Sequence, residues 1–436
     1  MLKALANAVD CVPDDTIFAQ RIVAYATELA PYVAAQIERS QERSTSGNQR
    51  SVTSLTHSIE RLVRERRLGS AMVLLDKLQP LLSEHPESPL PPPPSHEQVV
   101  SIVAGLHPPA GPEDTFTEED YDRIHESTPI VITSGDIPLL LDSLPEGSAA
   151  GVSGWTYSAI KAIYPSDNAS SCEQLAKLLT RMLEGRLTST IWLQSRCVLI
   201  PKASGGYRPL GIGDAWYRLA ARAALQQLGP GIGQQLSPLQ NGIGVSSGCE
   251  IGGRIGQLIM TAPSSLNLIV TSTDFKNGFN LPGRRRLLQA LQRVAPGLLR
   301  WFQWTHGQPS PLIQNGVCVG WSATGCRQGD PLSSLIFCAY IHPVLERMQS
   351  EIRAIVEADI IIGTDALPPI SGIYAYIDDV SFYYNGIYSS RVEATIRSIC
   401  DDEGILLNLS KCYHLVRETS VLDITRPHLF YSNDHR

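Results

Sequence analysis

The chain has 436 residues, of which 43% are hydrophobic and 18% charged, and a formal net charge of −7. That length allows two units or one large multi-lobed domain with a sizeable core, and the composition is that of a globular chain. The acidic balance withholds the easy sign of a nucleic-acid partner, no apolar run of about 18 residues offers a membrane span, and "MLKALANAVDCVPDD" is too short and interrupted for a signal peptide. The nine cysteines are scattered, odd in number and without a C-x-x-C pair, which argues against a disulfide framework and a zinc knuckle and for a reducing, intracellular location.

Residues 1–80 carry apolar side chains at three- and four-residue spacing in "TIFAQRIVAYATELAPYVAAQIERSQER" and "SVTSLTHSIERLVRERRLGSAMVLLDKLQPLL", which predicts helices. The cationic clusters at Arg61, Arg64, Arg66 and Arg67, and at Arg284, Arg285 and Arg286, read by themselves as solvated helix faces. The prolines Pro91 to Pro94 favour a stiff extended segment and mark the best domain boundary. A mixed connector follows over 97–145, and no internal repeat is present.

From residue 146 onward, strand-like and helical runs alternate, which makes this region α+β or α/β. Strands are predicted in "SRCVLIPK", in "LNLIVTSTDF" and around "IYAYIDDVSFYY". Helices are predicted in "DAWYRLAARAALQQL", "GCEIGGRIGQLIMTA", "GRRRLLQALQRVAPGLLRWFQWT" and "PLSSLIFCAYIHPVLERMQSEIRAIVEA".

Within "IYAYIDDVSFYY" two adjacent carboxylates, Asp378 and Asp379, interrupt β-branched and aromatic residues, so the pair sits mid-strand or in a tight hairpin. A buried carboxylate pair raises its own pKa values unless something positive joins it, and a divalent cation is the obvious partner. A solvated polar hairpin tip is the alternative for this window. A third carboxylate, Asp274, closes the β-rich run "LNLIVTSTDF" where the chain turns toward a helix. If Asp274 and Asp378 face each other on neighbouring strands, two Mg²⁺ ions about 3.5–4 Å apart can be held between them, the arrangement for in-line displacement at phosphorus.

"LIPKASGGYRPLGIG", "TDFKNGFN", "CRQGDPLSSLIF" and "YIDD" together resemble the ordered motifs of a reverse transcriptase of the non-LTR retrotransposon type. "GVSGWTYSAIK", "QNGIGVSSGCE", "WFQWTHGQPSPLIQNG" and "GILLNLSKC" stand in that family's order, so the resemblance covers about residues 145–415. It implies a right-hand polymerase fold of class α+β, with fingers and an antiparallel palm sheet backed by helices over 146–420. A helical N-terminal extension over 1–87 and a proline-rich linker and connector over 88–145 would precede it, and 421–436 would be a truncated start of a thumb that is otherwise missing. No endonuclease or ribonuclease H segment is recognised.

The resemblance further implies RNA-directed DNA synthesis on an RNA template from a DNA primer and dNTPs, with two Mg²⁺ ions, Mn²⁺ as a possible substitute, and a nuclear location. Asp274, Asp378 and the Phe275 carbonyl match the metal ligands, and Asp379 matches the second Asp of the pair. Lys202 and Arg208 match residues that grip the triphosphate, a point charge and a planar fork on a glycine-rich turn. Gln328 and Gly329 match residues against the nucleotide and template base, in a segment that also reads as a helix start capped by Asp330 with Pro331 at its first position. Phe279 matches the aromatic sugar gate, Asn408 a turn, and Lys411 a lysine near the departing pyrophosphate. Ser334, Cys326 and Asn280 depart from the commoner residues at their places. An RNA-dependent RNA polymerase is disfavoured, since Ile377 stands where that group has Gly and Phe279 where it has Asp. A catalytically inactive retroelement relic, or a domesticated nucleic-acid-binding scaffold, is the alternative from another class.

Overall fold

A computed structural model describes residues 94–145, 147–187, 189–202, 206–358, 370–417, 420–422 and 431–433. The helices expected over residues 1–87, and all but the last proline of the four-proline run, lie outside the described residues.

The stretch 97–145, expected as a mixed connector, holds helices α1 (His96–Leu106), α2 (Glu118–Glu126) and α3 (Asp136–Asp142). α1 starts at a capping box in which the Ser95 hydroxyl accepts from the Gln98 N–H and the Gln98 side chain accepts from the Ser95 N–H. α4 (Tyr157–Ile163) and α5 (Ala169–Leu183) follow. α6 (Ala215–Gln235) is capped by Asp214 through the Trp216 N–H at 3.0 Å. α7 (Gly248–Thr261) lies against the larger sheet.

The single helix expected over 283–305 is two: α8 (Arg284–Val294) and α9 (Leu299–His306), parted by a 3₁₀ turn at Pro296–Leu298. The reason is local. Pro296 has no N–H to continue the ladder, and its ring drives Ala295 out of the α region, to φ −146°. α10 (Ser333–Glu357) buries residues on all sides along Leu335–Ala339, so it is the central helix of the core, and α11 (Ser389–Glu403) packs beside it.

Two sheets organise these helices. The four-stranded sheet has the order β2-β1-β4-β5, with β1 (Ser195–Pro201) and β2 (Tyr207–Gly213) forming an antiparallel hairpin, β4 (Ser310–Gln314) parallel to β1, and β5 (Val317–Ser322) at the edge. Val99 and Val103 of α1 cover it, closing a small core on Cys197, Leu312 and Val319. The five-stranded sheet has the order β6-β7-β3-β8-β9. Its strands are β3 (Leu268–Thr273), β6 (Gly372–Tyr376), β7 (Asp379–Asn385), β8 (Tyr413–Leu415) and β9 (Tyr431–Asn433). β3 is antiparallel to both β7 and β8, and only β8 and β9 run parallel. Ile269, Ala375, Val380 and Phe382 from this sheet enter one large hydrophobic core with α6, α8, α9 and α10. The chain is thus α+β, with a mostly antiparallel sheet backed by helices, as expected.

Candidate active site

β6 and β7 form a hairpin in which Tyr376 pairs with Asp379 across a turn made of Ile377 and Asp378 alone. The carboxylate pair therefore stands at a hairpin tip. The expectation of a buried pair is corrected: Asp378 is half-buried and Asp379 exposed, because a two-residue turn lifts both off the packed faces of the sheet. Ile377 adopts φ +60°, a conformation that costs a β-branched residue about 1–3 kcal/mol and persists only where the surroundings impose it.

Register brings the third carboxylate alongside. Thr273 at the end of β3 pairs with Val380, so Asp274, the next residue along, lies beside Asp379 and the turn. The charges feel one another: burial raises the Asp378 carboxyl above its ordinary value, Asp379 and Asp274 raise it further, and Arg208 opposes them. Burial and Asp274 likewise raise Asp379, against Lys411.

Residues 406–408 run along Asp274 as a short added strand. The Asn408 N–H donates to the Asp274 carbonyl at 2.8 Å, the Lys276 N–H donates to the Leu406 carbonyl at 2.8 Å, and Phe275 bridges to Leu407. The Asn408 side-chain amide donates to Asp274 Oδ2 at 2.7 Å, and Lys411 Nζ lies 3.5 Å from the same oxygen. Lys411 is exposed and so joins the site from the solvent side.

Lys202 and Arg208 are both exposed at the loop end of the β1–β2 hairpin, where the Lys202 N–H donates to the Gly206 carbonyl at 3.0 Å and Arg208 pairs with Ile200. Arg208 is near enough for its charge to oppose the rise of the Asp378 carboxyl. Gln328 and Gly329 belong to the strap that fastens this hairpin to the rest of the molecule: the Gly211 N–H donates to the Gln328 carbonyl at 3.0 Å. Gly329 sits at φ +104°, and a Cβ there would lie 2.9 Å from the Gly211 carbonyl oxygen, so glycine is required by both conformation and space.

Behind the strap, the buried Arg327 guanidinium donates to the Leu193 carbonyl at 2.6 Å and the Ser195 hydroxyl at 3.1 Å, and lies 4.7 Å from the Tyr217 ring centre. The Tyr217 hydroxyl donates to Asp330. Asp330 also accepts from the Leu332 N–H at 2.9 Å, but the expected cap is corrected: the helix starts at Ser333, its first turn has no side-chain cap, and Asp330 and Pro331 both precede it in the turn before the helix. Phe275 turns its side chain into the core, and Phe279 is half-buried and stacks on Phe337 with ring centres 5.0 Å apart.

One residue that holds the turn is absent from the site residues predicted above. Gln240, completely buried, accepts through Oε1 from the Ile377 N–H at 2.7 Å and the Gly242 N–H at 3.1 Å, and donates through Nε2 to the Ile377 carbonyl at 3.1 Å. The string "QNGIGVSSGCE" marked the segment as a motif, but nothing in its composition says that an amide there reaches a turn 137 residues away.

The donor set suits a hard cation, with carboxylate oxygens of Asp274 and Asp378 on adjacent strand ends and mutual repulsion that a positive charge would relieve. Among the described residues no three acidic, histidine or cysteine side chains converge on one metal position.

A helix-backed antiparallel sheet with acidic residues at neighbouring strand ends, faced by a cationic hairpin, defines the palm and fingers of a nucleic-acid polymerase. The profile of the family described as reverse transcriptase (RNA-dependent DNA polymerase) matches residues 200–425. The chain belongs to that family. It is 24% identical over 299 residues to the retrotransposable element SLACS 132 kDa protein of Trypanosoma brucei gambiense, covering 65% of this chain and 22% of that protein. It is 26% identical over 242 residues to the retrovirus-related Pol polyprotein from type-1 retrotransposable element R2 of Nasonia vitripennis, covering 51% of this chain and 22% of that one. Both relatives are retrotransposon proteins, in agreement with the non-LTR reverse transcriptase read from the motifs, and the chain spans about a fifth of their length. An apo telomerase structure from Candida Tropicalis aligns over 52% of this chain and 51% of that one, with 13% identity and a TM-score of 0.35, a likeness too loose to assign anything.

Proposed function

We propose that this chain extends a DNA primer along an RNA template from dNTPs, by two-metal nucleotidyl transfer at Asp274 and Asp378. The observation that carries this reading is the register of β3 against β7, which sets Asp274 beside Asp379 and the turn that holds Asp378, with Lys411 3.5 Å from Asp274 and the Arg208 charge acting on Asp378. Asp274, Asp378 and the Phe275 carbonyl would hold Mg²⁺, or Mn²⁺ in its place. Bound there, the cations would lower the pKa of the primer 3′-hydroxyl and neutralise charge on the transferring phosphate.

The chain's own groups do the rest. Asp379 adds negative charge beside the ligands, Lys202 and Arg208 supply donors to triphosphate oxygens, and Gln328 and Gly329 border the space between fingers and palm. Lys411, exposed and 3.5 Å from Asp274, is placed to give a proton to departing pyrophosphate. Exclusion of ribonucleotides falls to Phe279.

The test is magnesium-dependent primer extension on an RNA template with the wild-type chain and Asp378→Asn. Extension that disappears in the variant, at least about 10²-fold, supports the reading. Binding without extension by the wild-type chain would favour the scaffold alternative.

A further inference from the structure

The turn that carries Asp378 is held in a conformation its own sequence disfavours. Ile377 sits at φ +60°, where a β-branched side chain crowds the backbone, and the turn has no glycine to relax into. Something outside the hairpin must hold it. The segment 239–242 does so on two levels. Its backbone pairs with β6, the Ala375 N–H donating to the Leu239 carbonyl at 2.9 Å and the Asn241 N–H to the Ala375 carbonyl at 2.8 Å. Its Gln240 side chain then reaches past the end of β6 and takes both polar backbone groups of Ile377.

The fit leaves no slack. Gln240 is inaccessible to solvent, and a Cβ on Gly242 would lie 2.5 Å from Ile377 Cγ1 and 2.7 Å from the Ile377 nitrogen. The amide is also well suited to the task. Gln240 Oε1 takes two N–H donors and Nε2 gives one hydrogen to a carbonyl, so its bonding is reciprocal and one amide satisfies both backbone groups of Ile377.

We infer that Gln240 is a positioning residue for the polymerase reaction: its amide clamps Ile377 in the left-handed conformation and thereby fixes the direction in which Asp378 presents its carboxylate. This rests on the polymerase reading only for its consequence, since the clamp itself is a matter of the fold. Gln240 touches no reacting atom. Its effect passes through one residue, and a carboxylate displaced by about 1 Å can cost about 10²-fold in rate.

The experiment uses the full chain in four forms: wild type, Gln240→Met, Ile377→Gly and the double variant. Methionine keeps the length of glutamine and removes its hydrogen bonds, and glycine adopts positive φ without steric cost. Amide hydrogen exchange of the Gly372–Tyr384 hairpin is read with primer extension, and melting temperature confirms that each form is folded. For Gln240→Met the tip amides should exchange at least about tenfold faster, the order that loss of a hydrogen bond produces, while Leu268–Thr273 is unchanged. Extension should lose about 10–100-fold in kcat with little change in KM for dNTP. In the Ile377→Gly background the same substitution should cost clearly less kcat, because glycine needs no clamp.

An unchanged tip exchange in a folded Gln240→Met protein would overturn the clamp. An equal kcat loss in both backgrounds would overturn positioning through Ile377 and leave Gln240 as ordinary packing. A wild-type chain that extends nothing would overturn the polymerase reading and with it the catalytic role, while hydrogen exchange would still decide the clamp by itself.

Discussion

At the scale of single residues, the acidic tip sets stability against function. Burial and neighbouring carboxylates hold the Asp378 carboxyl above its ordinary 3.8, so the folded protein binds this proton more tightly than the unfolded chain. The contribution to stability is complete below pH 3.8 and is lost as pH rises through the elevated folded value. At neutral pH the ionised tip therefore opposes folding, and Asp378→Asn is expected to raise the melting temperature while removing extension. The difference in melting temperature should shrink as pH falls toward 4, which thermal unfolding across pH 4–7 measures. A variant less stable than wild type at pH 7 would contradict the electrostatic account. Phe279 poses a related choice. It is stacked on Phe337, yet half-buried, so its ring packs on the core without being enclosed by it. Phe279→Val should relax the preference for dNTP over rNTP and cost less than the about 3–5 kcal/mol typical of a fully buried ring. Extension with each nucleotide class, beside a denaturation curve, separates the two roles, and an unchanged ratio in a folded, active variant would show that Phe279 is not the gate.

At the scale of elements, Arg327 ties the four-stranded sheet to α6 and to the segment that leads into α10. It binds Leu193 and Ser195 at the start of β1, lies over Tyr217 of α6, and approaches Asp330 at 3.9 Å just before α10. All of these groups are buried, so cutting the guanidinium away removes the positive charge facing Asp330 and takes a donor from the Leu193 carbonyl and the Ser195 hydroxyl in a medium that cannot solvate them. Arg327→Met is expected to destabilise the chain by about 3–5 kcal/mol, the range for breaking a buried pair from one side, as read by chemical denaturation. A loss below about 1 kcal/mol would show that the joint is held by the apolar contacts alone. The strap at Gln328–Gly329 and the Tyr217–Asp330 contact belong to the same joint, so their substitutions should combine non-additively with Arg327→Met.

At the scale of the whole molecule, charge sets how nucleic acid is held. Phosphate contacts dominate such affinities, and a chain of net charge −7 has few cations to spare beyond those at the site. Binding of primer–template is expected to be weak, with a dissociation constant of about 10⁻⁶ M or above at physiological salt, and to weaken steeply as salt is raised. A titration over a salt series measures both, and nanomolar binding at physiological salt would show that a cationic surface stronger than the composition suggests is at work.

The sequence by itself determined the class of fold and several of its elements, and it pointed to the candidate acidic residues of the site. Alternating apolar runs fix β1, β3 and β7, and helical spacing fixes α6, α7 and α10. It also carried the break between α8 and α9, since Pro296 is plain in the chain, although the helical periodicity on both sides concealed its effect. Only the tertiary structure decided that the Asp pair stands at an exposed tip, that Asn408 and Lys411 meet Asp274, and that Gln240 grips Ile377. Each of these is a contact between residues far apart in the chain. Periodicity reports which face of an element is buried, whereas the partner of a buried amide is set by strand register and the close approach of backbones, which appear only when the chain has folded.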